Sequence, residues 1–112
     1  MKKEILNKSD WHIEEETFGD YFAKLLSKNP KRIKSFKARI VKEYNETKDL
    51  AVFLEHLKII AIAEKKTEIL AEKTKMKRPN IYRILSKNSN PSFLNIAKIA
   101  HNLGFDFVLK IA

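Results

Sequence analysis

TEILAEKTKMKRPNIYRILSK, residues 67–87, decides how this chain is read. Ile69, Leu70 and Ala71 belong to a first short apolar-bearing run over Thr67–Thr74. Ile81, Ile84 and Leu85 recur at helical spacing in a second run, from 78 to about 86. Only Lys75, Met76 and Lys77 lie between the two. So short a connector makes two helices cross steeply, and Met76 then has to point inward to tie them. That combination is a helix-turn-helix.

The same stretch carries a charge pattern. Residues 73–88 hold the cations Lys73, Lys75, Lys77, Arg78, Arg83 and Lys87 and no acid. At 100° per residue, Ile81, Ile84 and Leu85 cluster on one side of the second helix. Pro79, Asn80, Arg83, Ser86 and Lys87 fall on the other side, with Lys77 and Arg78 at the tip and Tyr82 on the flank. Arginine can fork onto guanine and asparagine onto adenine, while hydroxyls and lysines anchor phosphates. A solvated helix face is the bland reading, but such faces usually mix both signs. An acid-free cationic row on the second helix of this motif is what major-groove reading of double-stranded DNA needs.

Outward from the motif the chain reads as helix on both sides. Thr17 can cap a helix burying Phe18, Tyr21, Phe22, Leu25 and Leu26. Asn29-Pro30 stops it and starts another, whose stripe is Ile33, Phe36, Ile40 and Tyr44. Asp49 can cap a third, with Leu50, Phe53, Leu54, Leu57 and Ala61 inward. After Asn90-Pro91, residues 93–103 bury Phe93, Ile96, Ala97, Ala100 and Leu103, and Gly104 supplies a left-handed stop. The tail FDFVLKI alternates, with Phe107, Leu109 and Ile111 facing one way, so it reads as a short β-strand. A lone strand needs a partner; no second strand is evident, so its donor is another copy and the chain is expected to be a homodimer. The expected fold is all-α, with two lead-in helices before the motif and this one C-terminal strand. Residues 18–112 form a single domain behind an acidic leader, 1–17.

Bulk properties agree. The chain has 112 residues, 44% hydrophobic and 33% charged, with two glycines and three prolines, which suits one helical core. There is no cysteine, so no disulfide or thiolate site is expected. His12, His56 and His101 are too scattered for a metal cluster. No metal and no cofactor is expected. No apolar run is long enough for a membrane span, and the start lacks a signal-peptide core, which points to the cytoplasm. The net charge of +9 is unevenly spread: residues 1–17 carry −2, 18–48 carry +6 and 67–90 carry +4. A surplus of this kind suits nucleic acid, an acidic partner or an anionic membrane, without choosing among them.

LAEKTKMKRPNIYRILSKNSNPSFLNIAKIAHNLG, residues 70–104, resembles the helix-turn-helix of Xre/lambda-repressor-like regulators, and more narrowly the HigA-like addiction-module antidote family. Members read L-A-x-x-T-G-h-S-R-x-x-h-Y-x-x-L-S-x-x-x-N-P, with h apolar. Leu70, Ala71, Thr74, Met76, Arg78, Ile81, Tyr82, Leu85, Ser86, Asn90 and Pro91 fit. Residues 20–61 are similar to the family's two lead-in helices, so the likeness spans about 18–112. The resemblance implies a dimeric antitoxin that represses its own palindromic operator and neutralises a cognate ribonuclease toxin. By position it puts Arg78, Asn80 and Arg83 at base edges. Thr67, Lys77 and Lys87 would meet phosphates, as would Lys75, Tyr82 and Ser86 around them. Two positions depart from the pattern: Lys75 stands where members have the turn glycine, and Lys77 where they have the capping serine. A left-handed turn at Lys75 would cost on the order of 1–2 kcal/mol, and the lost cap about 1 kcal/mol.

Other features carry less. Trp11 and His12 lie in the leader, which reads either as a tail tucking its indole onto the domain or as a segment that a partner orders. Lys24, Lys28, Lys31, Arg32, Lys34, Lys37, Arg39 and Lys42 mostly fall outside the apolar stripes and read as a solvated face. The consecutive Glu14, Glu15 and Glu16 favour a helix N-terminus and cannot converge as an acid–base pair. With no nucleophile constellation and no phosphate-cradling glycine loop, enzyme activity is not expected. Two other readings stand beside the antitoxin: a prophage-type regulator without a toxin, and a protein-interaction module using its basic surface.

Overall fold

The computed structural model describes residues 18–86 and 89–112. The leader with Trp11, the cap expected at Thr17, and Lys87 lie outside the described residues. Six helices follow one another: α1 (Phe18–Ser27), α2 (Pro30–Thr47), α3 (Leu50–Ala63), α4 (Thr67–Thr74), α5 (Arg78–Ile84) and α6 (Phe93–Asn102). The architecture is all-α.

Helix boundaries follow local chemistry. Asn29 Oδ1 accepts from Arg32 N at 3.3 Å, and Pro30 opens α2 where its missing N–H costs nothing. Asp49 Oδ1 accepts from Val52 N at 3.2 Å, and Ser92 Oγ accepts from Asn95 N at 3.2 Å. At the end of α6, Gly104 takes φ +94° and Phe105 N donates to Ala100 O at 2.9 Å. This left-handed stop reverses the chain and drives Phe105 into the core, where only 8% of it stays exposed.

One apolar cluster draws on every helix. Ile40, Leu57, Ile60, Leu70, Ile81, Leu85, Ile99 and Leu103 are its largest fully buried members. α1 and α2 both pack on α3, α4 packs on α5, and α6 closes over α4. Lys37 Nζ meets Glu64 Oε2 at 2.9 Å, joining α2 to the end of α3, and lies 5.9 Å from the centre of the Phe105 ring. The expected stripes of α2 and α3 hold, except that Leu50 and Tyr44 are only partly covered. α1 differs: Ala23 and Leu26 are buried, whereas Phe18, Tyr21 and Leu25 are exposed. Phe93 is exposed on α6, and Ile99 takes its place inside.

The C-terminal strand is not formed. Among the described residues there is no strand, and residues 105–112 follow Gly104 without regular pairing. The reason is that a strand exists through its ladder, and no described segment runs beside the tail to supply one. Nor do Phe107, Leu109 and Ile111 share one environment. Phe107 turns back onto Phe93 and Phe53, with ring centroids 5.2 and 6.1 Å away, while Leu109 and Ile111 are completely exposed.

Candidate nucleic-acid interface

The sequence-predicted DNA residues that are described lie on α4, on α5, in the three residues between them and, for Ser86, just beyond α5. α4 ends at Thr74, which is buried; its hydroxyl donates to Leu70 O at 2.5 Å, so no polar group there is orphaned. Lys75 then takes φ 62°, ψ 28°, the left-handed conformation. Met76 is partly buried and packs against the core, the inward anchor expected of it. Lys77 occupies the N-cap of α5 in extended conformation without a side-chain cap bond. Both departures from the family pattern therefore fall where the geometry makes them matter.

α5 is held from beneath by Ile81 and Ile84, and Leu85 follows directly; all three are essentially buried. Arg78, Pro79 and Arg83 are exposed on its outer side, with Asn80 half-buried between them. Arg83 Nη2 donates to Asn80 Oδ1 at 2.5 Å, so the fork and the amide are oriented together. Ser86 Oγ donates to Arg83 O at 2.8 Å. Ser89 Oγ donates to Ile84 O and Ser86 O at 2.7 and 3.0 Å. These side-chain bonds satisfy the carbonyls at the end of α5, which is why the helix stops at Ile84 rather than near Ser86.

Two neighbours that the linear order concealed join this face. Arg78 Nη2 lies 4.0 Å from Glu68 Oε2, so an acid from α4 reaches a stretch that is acid-free in sequence. Both groups are solvent-exposed and the contact is weak. Lys58, from α3, places its Nζ 5.7 Å from the centre of the Tyr82 ring. Thr67, at the first turn of α4, shares a shallow groove with Lys65, Glu68, Arg78 and Tyr82. A lysine on a preceding helix carries no motif signal, so Lys58 could be found only from the fold. Chemically, the surface offers guanidinium, amide, hydroxyl and ammonium donors to an extended anion.

A sequence model of the probable addiction module antidote protein family matches residues 23–111. The chain belongs to this family. The match spans most of the chain, including all the helices from α2 onward and the second half of α1. Membership in an antidote family implies a non-enzymatic antitoxin with a cognate toxin as its partner. No curated protein and no solved structure matches the chain. Among the described residues, no helix is long and apolar enough to cross a membrane, and no group of His, Cys, Asp or Glu is placed to hold a metal ion.

Proposed function

We propose that this antidote-family chain is a sequence-specific DNA-binding antitoxin of a type II module. It represses its own operon from the cytoplasm and neutralises a ribonuclease toxin. In this reading residues 18–112 are one lambda-repressor-like domain, α4 and α5 are its helix-turn-helix, and α5 enters the major groove. The observation that carries the reading is the turn. Lys75 adopts the left-handed conformation at the position where the family has glycine, and the Arg78, Asn80 and Arg83 row projects from the helix that follows.

Each residue then has a task. Arg78, Asn80 and Arg83 read base edges. Thr67, Lys75, Lys77, Tyr82 and Ser86 take phosphates and set the register, and Lys87 is assigned with them by position. Glu68 releases Arg78 when phosphate or base competes for the guanidinium. Two copies joined through Phe107, Leu109 and Ile111 would present two such helices to a palindromic site.

The test is affinity for the upstream duplex and for a random duplex across a salt series. Arg83→Ala is expected to cost about 1–3 kcal/mol on the upstream site and much less on the random one. Replacing Lys31 and Lys34 together should weaken both alike or leave both unchanged. A parallel loss on the two duplexes with Arg83→Ala would reduce α5 to a cationic surface and favour the interaction-module reading. A ribonuclease-like reading frame beside the gene separates an antitoxin from a toxin-free prophage regulator.

A further inference from the structure

We propose that the acidic leader, residues 1–17, is an intramolecular ligand of the domain. It docks in the apolar groove between α1, α2 and α3, with Trp11 as its anchor. The groove is a cavity of about 610 Å³ walled by Phe18, Phe22, Phe36, Ile59 and Ile62. That volume lies within the range that accepts a compact apolar ligand.

Its aromatic residues form a run that is open at one end. His56 meets Phe36 edge-on at 5.4 Å, Phe36 meets Phe22 edge-on at 5.3 Å, and Phe22 stacks on Phe18 at 6.0 Å. Among the described residues Phe18 ends the run, and it is 77% exposed. Such an edge suits an indole, which gains both burial and ring–ring contact there.

The position of the chain selects the occupant. The leader joins the fold at Phe18, which is itself a wall of the groove. Trp11, the chain's single tryptophan, lies seven residues earlier, a reach of at most ~25 Å. So short a tether gives the leader an effective concentration on the order of millimolar at the groove, an advantage over a free partner. Long-range charge adds to this, because residues 18–112 carry +11 and the leader −2 of the total +9. The rim itself is balanced, with Arg39 and Lys58 against Asp20 and Glu55. Seating therefore comes from the apolar match. Any other protein using this groove has to displace the leader first. The groove also reaches Leu85 and Ser86 beyond α5, so a seated leader borders the proposed DNA face, but its docking does not require that DNA reading.

The test is nuclear magnetic resonance on the full-length chain, with Trp11 as its only indole. The expected result is through-space contacts from the Trp11 ring to the methyls of Ile59 and Ile62. Trp11 fluorescence should be blue-shifted and shielded from acrylamide, and Ile59→Lys should return it towards its value in denaturant. Circular dichroism checks the fold of that variant, and the wild-type contacts stand without it. Three outcomes would overturn the proposal. Trp11 is as accessible in the native protein as in denaturant; or it is shielded by residues outside the groove. The third is that its contacts appear only between differently labelled copies in a mixed sample, which would assign the groove to a second chain's leader.

Discussion

Lys75 holds a conformation that an L-residue with a β-carbon adopts at a cost. Lys75→Gly is expected to raise stability by roughly 1 kcal/mol, or about 4–8 °C in Tm for a domain of this size. Thermal unfolding of both proteins checks it; an unchanged or lower midpoint would count against strain at this turn. Lys48 and Lys65 are left-handed too, at φ 58° and 56°. Lys48 has a compensation, since its Nζ sits 5.5 Å from the centre of the Tyr44 ring, so Lys48→Gly should gain less than Lys75→Gly. His56 shows a different conflict. Burial pushes its pKa below the usual 6.5 and Arg39 acts the same way, while Glu43 and Glu55 pull it up. Glu43 Oε1 is 3.9 Å from His56 Nδ1, but burial prevails, so this contact is not an ion pair at neutral pH. The folded state therefore prefers the neutral ring, and the unfolded chain takes up the proton first. The stabilisation from His56 is complete above about pH 6.5 and is lost as pH falls through that value towards the folded pKa. Urea midpoints at pH 7.5, 6.5 and 5.5 should show the wild-type advantage over His56→Gln shrinking with acid; parallel curves would refute this.

At the scale of the element, α1 shows how a correct helix can carry an incorrect face. Phe18, Tyr21, Phe22, Leu25 and Leu26 make a plausible stripe, but the buried face is rotated towards Ala23, which is completely enclosed. A small residue at the contact lets α1 approach α3 closely, and the larger side chains are left at the margin. Leu26→Ala should then cost about 2–5 kcal/mol in urea denaturation, whereas Leu25→Ser should stay within about 0.5 kcal/mol. Equal losses would mean that the stripe, not the Ala23 face, is the buried one. In α4 and α5 the apolar spacing placed the Lys75–Lys77 connector to the residue, because Leu70, Ile81, Ile84 and Leu85 have no other face to bury. The end of α5 was less legible, since it depends on the hydroxyls of Ser86 and Ser89 folding back onto carbonyls.

For the whole molecule, the tail carries the most exposed apolar side chains among the described residues. Leu109 and Ile111 are fully exposed and Val108 is 78% exposed, yet Phe107 is folded onto Phe53 and Phe93. If two copies meet through this segment, replacing both Leu109 and Ile111 with lysine should convert a dimer to a monomer in sedimentation at micromolar concentration. It should leave the melting of the monomer untouched, because neither side chain contributes to its core. Cutting after Gly104 is a poorer test, since it also removes the buried Phe105. Full-length protein that already sediments as a monomer would remove the dimer and, with it, the palindromic site.

The amino-acid order alone determined the helices, the three-residue turn, the caps at Asn29 and Asp49, and the left-handed stop at Gly104, whereas a left-handed Lys75 followed only from the family's glycine at that position. Each of the former is settled within a few residues, by the reach of one side chain to a nearby backbone group or by apolar spacing along one helix. Tertiary structure alone decided which side of α1 faces inward, that Ile99 rather than Phe93 enters the core, and that Glu68 and Lys58 flank the proposed reading face. It also showed that one chain leaves its tail without a ladder. Those outcomes depend on which surfaces meet across tens of residues, and a helix's period states that a face exists without stating what will cover it.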